Sequence, residues 1–472
     1  MKANIYFGST CKESGEYNKV LSPYDGRVAS QVAICNADDA LEALDIAQKS
    51  SENAKKVPLY ARVNWLLDVA KKLQLQKEDI AKTLTDEVGK PIRFARVEVD
   101  RAVETIKLAA HAMTNLHGET FDTTAMPSGK ETLSFYKRVP VGVVLAITPF
   151  NFPLNLVAHK IAPALVAGNS VVLKPTSSAP LTAFKFAKLF IESEFATPDA
   201  LSVVYSGQGV NDELVKGSIP RVISFTGSVP VGREITSKAG IKKLALELGG
   251  NAATYIDKSA EIKLAATKCA LGSFINSGQV CISLQRIYVN EDVYDEFAEA
   301  LREETKALHV GSPYDDKSFI GPMINTKAVE QAKRWIQNAQ DEGATLFYGS
   351  TCKDLMFSPA IMTDVTEQMN IVCEEVFAPI VSLIKVKDFD EAKSKINSSA
   401  YGLQYSVFSN DISTCKRAID ELDAGGIVIN DIPTLRFDIQ PYGGFKQSGI
   451  GKEGPKYALE EEYTQIKSVV IC

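Results

Sequence analysis

Apolar residues recur at three and four positions among charges in DDALEALDIAQKSS and RVNWLLDVAKKLQ, a spacing that predicts surface helices lying on a core in the first third of the chain. From Val141 the texture changes to short β-rich runs (VGVVLAI, SVVLK, SVVYS, RVISF, KLALEL), separated by segments long enough for a helix. That alternation predicts a parallel, doubly wound sheet. After Gly249 a second series begins, with LAATKCALGSF and DVYDEFAEALREETKAL as helices and QRIYVN and IVSLIKV as strands, and predicts a second α/β domain. Two segments, Thr132 to Pro140 (TLSFYKRVP) and Thr464 to Cys472 (TQIKSVVIC), read as strands outside the alternation. Exposed apolar strands need pairing, which points to oligomerisation. No internal repeat or low-complexity linker is evident.

Length changes this picture little: 472 residues exceed what one hydrophobic core serves, in keeping with two or more domains. Apolar residues at 45% and charged residues at 23% exclude a disordered or fibrous chain. The net charge is -6 and the basic residues are scattered, so nucleic acid and anionic membranes are poor partners and a small molecule fits better. The amino end lacks a basic and then apolar signal pattern, and no stretch reaches about 18 uninterrupted apolar residues. A cytoplasmic location is expected. The eight cysteines include no C-x-x-C pair and predict reduced thiols rather than a disulfide framework. His111, His117, His159 and His309 are too dispersed for a metal cluster, and no catalytic metal is expected.

Candidate chemistry lies in seven short runs. FTGSVPVG, holding Thr226, Gly227 and Ser228, follows a predicted strand and opens a predicted helix; its backbone amides could hold a phosphate, or it is an ordinary turn. Lys174 in VVLKPTSSAP is either a solvated strand-end lysine or a donor to ribose hydroxyls or phosphate. Asn151 in ITPFNFPLN is either a turn former or a side-chain amide donor. Glu247 in ELGGN sits where the two predicted domains join; a partly desolvated carboxylate there would serve as a general base, and a strand-end glutamate without a task is the other reading. Cys281 in NSGQVCISLQR follows Gly278 and Gln279, a polar setting unusual for a core cysteine, which suits a reactive thiol. EEVFAPI and PYGGFKQSGIGKEG read as ordered loops rich in glycine, proline and aromatics.

In this order, TPFNFPL, KPTSSAP, FTGS, ELGG, GQVC, EEVFAP and PYGGFKQSG closely resemble the aldehyde dehydrogenase superfamily over nearly the whole chain. The resemblance implies an α/β, aldehyde dehydrogenase-like fold: a Rossmann-type cofactor domain (1–120 and 141–247), an α/β catalytic domain (248–450), and a small β oligomerisation domain (121–140 and 451–472) building homodimers or homotetramers. It implies NAD(P)-dependent oxidation of an aldehyde through a cysteine thiohemiacetal and thioester. Cys281 then matches the nucleophile, Glu247 the general base and Asn151 the oxyanion amide. Lys174 matches the adenosine-ribose ligand, Thr226, Gly227 and Ser228 the pyrophosphate turn, Glu375 the nicotinamide-ribose ligand, and Phe377 packs near the nicotinamide. One departure stands beside Asn151, where Phe150 replaces the common tryptophan.

Within the superfamily, ARVEVDRAVETIKLAA, FNFPLNLVAHKIAPA and RFDIQPYGG look most like the branch of lactaldehyde, glyceraldehyde, phosphonoacetaldehyde and non-phosphorylating glyceraldehyde-3-phosphate dehydrogenases. A short polar aldehyde of lactaldehyde or glyceraldehyde type is expected. Arg436, with Arg101 and His159, is a candidate substrate contact or else structural. Val280 stands where phosphate-handling members often carry arginine, which weighs against a triose phosphate. Phosphonoacetaldehyde and succinic semialdehyde are further alternatives; CoA-acylating chemistry is disfavoured by the presence of Glu247, and a non-catalytic role by that of Cys281. Ser177 replaces the glutamate that many NAD-selective relatives carry three residues after the lysine, so NADP, alone or with NAD, is the expected cofactor.

Overall fold

The computed structural model describes residues 2–13, 15–205, 207 and 209–472. Asn36 opens the helix Ala37–Ala54 with a reciprocal cap, its side chain accepting from Asp39 N (3.0 Å) while Asp39 accepts from Asn36 N (2.8 Å). The amphipathic helices Leu59–Leu75 and Ile92–Thr114 bury their apolar faces in one large core. Asn155–Val166, apolar nearly all round, is buried along its whole length.

The runs from Val141 onward form the expected parallel sheet. Its order is Lys243–Glu247, Val222–Thr226, Val143–Ile147, Ser170–Lys174, Leu201–Val203, with all neighbours parallel. Chain order reverses between Val143–Ile147 and Val222–Thr226, so the topological switch point lies there, and ligands of such sheets bind outside the carboxyl ends of the strands beside it. Ile5–Phe7 and Thr10–Lys12 extend one edge. Gly449–Ile450, which the sequence groups with the second unit, closes the other edge by pairing with Leu246 and Glu247. The chain returns here because Leu248 N donates to Ser448 O (2.9 Å), continuing the pairing beyond the strand.

The second sheet runs Thr345–Gly349, Ala360–Thr363, Ile380–Val386, Leu284–Asn290, Ala252–Ile256, Gln404–Phe408, Gly426–Ile429, parallel except at Thr345–Gly349. The two strands outside the alternation find each other: Leu133–Pro140 and Thr464–Ile471 pair antiparallel over eight positions, and Thr120–Phe121 adds a third strand. Thr464–Ile471 remains at the edge of that ribbon with Ile466, Val470 and Ile471 exposed. Among the described residues no helix is long and apolar enough to cross a membrane.

Candidate active site

The carboxyl ends of the first sheet face residues that precede the strands of the second. Between them lies a cavity of about 610 Å³. The first sheet brings Asn151, beyond Ile147, then Thr226, Gly227 and Ser228 at the switch point, and Glu247 at a strand end. From the second side come Cys281, ahead of Leu284–Asn290, and Glu375 and Phe377, ahead of Ile380–Val386. Arg101 and Arg436 complete the sequence-expected residues on its wall.

Cys281 is delivered by a strained turn. Asn276, Ser277 and Gly278 have φ of 51°, 56° and 70°, three successive left-handed residues in which only glycine is at ease. Two glycines bring the walls together. A Cβ on Gly250 would collide with the Cys281 carbonyl oxygen, and one on Gly249 would collide with the Glu375 carboxyl. Gly250 N donates instead to Glu375 (3.1 Å). Asn151 Oδ1 accepts from Phe152 N (3.1 Å), which leaves the amide NH2 as the group able to donate. Phe150, the aromatic that departs from the family pattern, meets Phe377 edge to face at 5.9 Å.

Burial governs the titrations. It pushes the Cys281 thiol up to about 12, against a hydrogen bond from Tyr442. It also raises Glu375 to about 7, against the Gly250 N–H. Glu247 lies well above the carboxylate range because it is buried and faces the Glu453 carboxylate; its Oε2 has no hydrogen-bond partner. Against the same burial, Lys160 and Arg436 hold Glu453 down at about 2. Burial thus favours the uncharged forms of the Cys281 thiol and of Glu247.

The sequence-expected substrate residues form one network. Asp438 binds Arg101 through both oxygens (2.8 and 3.1 Å), lies 3.3 Å from Arg436 Nε and 3.0 Å from His159 Nε2. Arg436 also donates to Glu453 (3.0 Å), which Lys160 approaches at 3.3 Å. His159 does not line the cavity; it is buried behind it, and burial lowers its pKa. Lys174 ends its strand beside Ile147, outside the main cavity. Among the described residues its ammonium has no hydrogen bond or ion pair, and burial lowers its pKa. Ser177 lies in a second cavity, of about 260 Å³, where its carbonyl accepts from Tyr205 Oη (3.1 Å).

Sequence reading missed Tyr442, Asp438, Glu453, Lys160 and the buried pair Lys90 and Glu98. Lys160 carried a signal, a lysine inside the otherwise apolar run NLVAHKIAPALV; Tyr442 and Glu453 stood unremarked inside quoted motifs.

A crevice at the switch point, the open amino end of helix Val229–Lys238, an unpartnered Lys174 and a glycine cradle beside Glu375 fit a dinucleotide. With a thiol and the Glu375 carboxyl on one wall and the Glu247 carboxyl on the other, fold and cleft define a thiol-type, dinucleotide-dependent dehydrogenase. The aldehyde dehydrogenase family profile matches residues 10–469, and the chain belongs to that family: it is an NAD(P)-dependent aldehyde dehydrogenase. It is 41% identical over 458 residues to the lactaldehyde dehydrogenase of Methanocaldococcus jannaschii (96% of each chain). It is 40% identical over 459 residues to the 3-sulfolactaldehyde dehydrogenase of Priestia megaterium (97% of this chain, 95% of the relative). Among solved structures it is similar to glyceraldehyde-3-phosphate dehydrogenase GapN from Methanocaldococcus jannaschii complexed with NADP, at TM-score 0.93 and 39% identity over 97% of this chain and 99% of that one. Aldehyde dehydrogenase 21 from Physcomitrella patens, in complex with the reaction product succinate, superposes at TM-score 0.96 with 35% identity, covering 100% of this chain and 98% of that one.

Proposed function

We propose that the protein oxidises a short, hydroxylated aldehyde of lactaldehyde or glyceraldehyde type to its acid, with Cys281 as nucleophile, Glu247 as general base and Asn151 as oxyanion donor. The observation that carries the reading is that all three line one cavity whose wall also holds Arg101 and Arg436. Cys281 first loses its proton to solvent; the thiolate sulfur then forms a bond to the aldehyde carbon, and the C=O π pair moves onto the carbonyl oxygen, which takes the negative charge beside the Asn151 amide. NAD(P), when bound, supplies the two-electron acceptor that turns the thiohemiacetal into a thioester. Lys174, Ser177, Thr226, Gly227, Ser228, Glu375 and Phe377 would hold it. Glu247, once ionised, takes a proton from the water that attacks the thioester, and the acid leaves as the sulfur is regenerated.

Charge supports a polar or singly charged substrate over a phosphate. Lys160, Arg101 and Arg436 face Asp438 and Glu453, three cations against two carboxylates, while burial favours the neutral forms of Glu247 and His159. Within this network, apart from Lys327 and Glu375 elsewhere on the cavity wall, one positive charge is left over, which suits a hydroxyl or a monoanion, and Val280 adds no further cation. The names of the relatives, lactaldehyde and 3-sulfolactaldehyde dehydrogenases, agree with this class. The exposed edge strand Thr464–Ile471 supports a homodimer or homotetramer. The proposed domain division is 1–120 with 141–247, 248–450, and 121–140 with 451–472, with Gly449–Ile450 crossing to the edge of the first sheet.

The test is a panel of lactaldehyde, glyceraldehyde, its 3-phosphate, sulfolactaldehyde and succinic semialdehyde, each with NAD and NADP. The highest kcat/KM should fall to a short hydroxylated aldehyde, and a clear preference for the phosphate would overturn the substrate assignment. Cys281→Ala should abolish oxidation and retain cofactor binding; unchanged turnover would refute the mechanism.

A further inference from the structure

We propose that the Tyr442 hydroxyl is the hydrogen-bond donor that stabilises the Cys281 thiolate, a catalytic group additional to Asn151 and Glu247; this rests on Cys281 being the nucleophile. Tyr442 Oη lies 3.1 Å from Cys281 Sγ, and among the described residues each is the other's only hydrogen-bond partner. While the sulfur carries its proton either group can donate. After deprotonation only the phenol can.

The surroundings make that donor necessary. Val280, Ile282, Leu403 and Phe152 pack around the thiol in a small apolar cluster. Of the charged and titratable groups facing it, Glu375 and Glu247 oppose a negative sulfur whenever they ionise, while Arg436 favours it without touching it. Among the described residues a thiolate there has no hydrogen-bond donor except the phenol.

Tyr442 is held for this task. Its N–H donates to Glu453 O (2.9 Å) and its carbonyl accepts from Glu453 N (2.6 Å), so the backbone is clamped on both sides. The Arg436 guanidinium lies 3.8 Å from the ring centroid. A cation on the π face draws density from the ring and strengthens the O–H as a donor. Tyr442 is 6% exposed, and a phenylalanine would fill the same wall without burying a hydroxyl. The hydroxyl thus has a purpose only toward sulfur. Once carbon is attached, sulfur is a poor acceptor, so the bond acts on the free thiolate: it raises the fraction ionised for attack by more than it lowers the sulfur's intrinsic nucleophilicity, and it stabilises the sulfur as leaving group when water cleaves the thioester. No proton transfer from Tyr442 is involved, since burial holds the phenol well above its ordinary pKa.

The experiment follows the rate of Cys281 alkylation by iodoacetamide in the cofactor-free enzyme from neutral to alkaline pH, with the labelled residue identified by mass spectrometry. Tyr442→Phe should move the profile upward by about one pH unit or more and lower kcat about tenfold, with the Kd for NADP unchanged. Incorporation of 3-fluorotyrosine at position 442, a more acidic phenol, should move the profile downward. Superposable profiles for parent and Tyr442→Phe would overturn the proposal. A Cys281→Ser enzyme that keeps full turnover would instead remove the nucleophile reading on which it rests, so the two failures are distinguishable.

Discussion

Lys90 Nζ stands 2.7 Å from the backbone carbonyl oxygen of Asn151, so a buried ammonium holds the loop that carries the proposed oxyanion amide. The same ammonium is ion-paired with buried Glu98 and lies 3.9 Å from the Phe152 ring centroid. Glu98 in turn accepts from Leu154 N (2.9 Å) and Asn155 N (3.2 Å), fixing the start of helix Asn155–Val166. Lys90→Met would leave Glu98 uncompensated in the core. Chemical denaturation should register a loss of about 3–5 kcal/mol, and Lys90→Met/Glu98→Gln should recover part of it. A single variant as stable as the parent would contradict this account.

Arg101 is held to the cavity wall by both oxygens of Asp438 and keeps about a third of its side chain exposed. Arg101→Leu should raise KM for hydroxylated or anionic aldehydes about 10–100-fold, the worth of a charge-assisted hydrogen bond, and leave propanal within about threefold. Equal effects on both kinds of aldehyde would mean that Arg101 only supports the loop.

Ser177 lies with Tyr205 in the smaller cavity, beyond the strand that ends at Lys174. Ser177→Glu would put a carboxylate where a 2′-phosphate is proposed to sit, and should cut kcat/KM for NADP at least about tenfold while sparing NAD. Steady-state assays with both cofactors decide the matter, and an unchanged ratio would place the phosphate elsewhere.

Glu247→Gln keeps the side chain's shape and removes the base. The first turnover should persist as a burst of reduced cofactor, with the steady state lower by about 10²–10⁴-fold. In the parent, burial raises both Cys281 and Glu247 and so favours their protonated forms, and kcat/KM should climb as pH rises from neutral toward alkaline. A flat profile would show that neither ionisation limits the reaction.

Glu462 is buried, and burial raises it to about 8, against the opposing charge of Lys160. The folded state therefore holds a proton that the unfolded chain releases at an ordinary pKa of about 4.5. Stability from this group is fully present below about pH 4.5 and is lost as pH rises through 8. Glu462→Gln, neutral throughout, should gain Tm over the parent above pH 8 and lose that advantage near pH 5. A Tm difference independent of pH would show that Glu462 is not carrying the proton.

Much of the fold was legible because local pattern and burial coincide. VGVVLAI, SVVLK and RVISF are apolar on both faces, as strands covered by helices must be, and they fall in one parallel sheet. The site was legible where a residue sits inside a short run with its own backbone signature: ten of the thirteen expected residues line one cavity. Tyr442 escaped notice because its meaning depends on a sulfur 161 positions earlier in the chain. Asp438 did so because its partner Arg101 is 337 positions away. Lys90 lies in GKPI, a loop that offers no hint of its burial.

By itself the sequence determined which segments are helices and strands, the order of the motifs, and the family they belong to, since these follow from periodicity and from short contiguous runs. Only the tertiary structure decided which charges meet, which carboxyls keep their protons, and which hydroxyl faces the thiol. Those properties depend on distance and desolvation, and both are set by packing between segments that the chain itself keeps far apart.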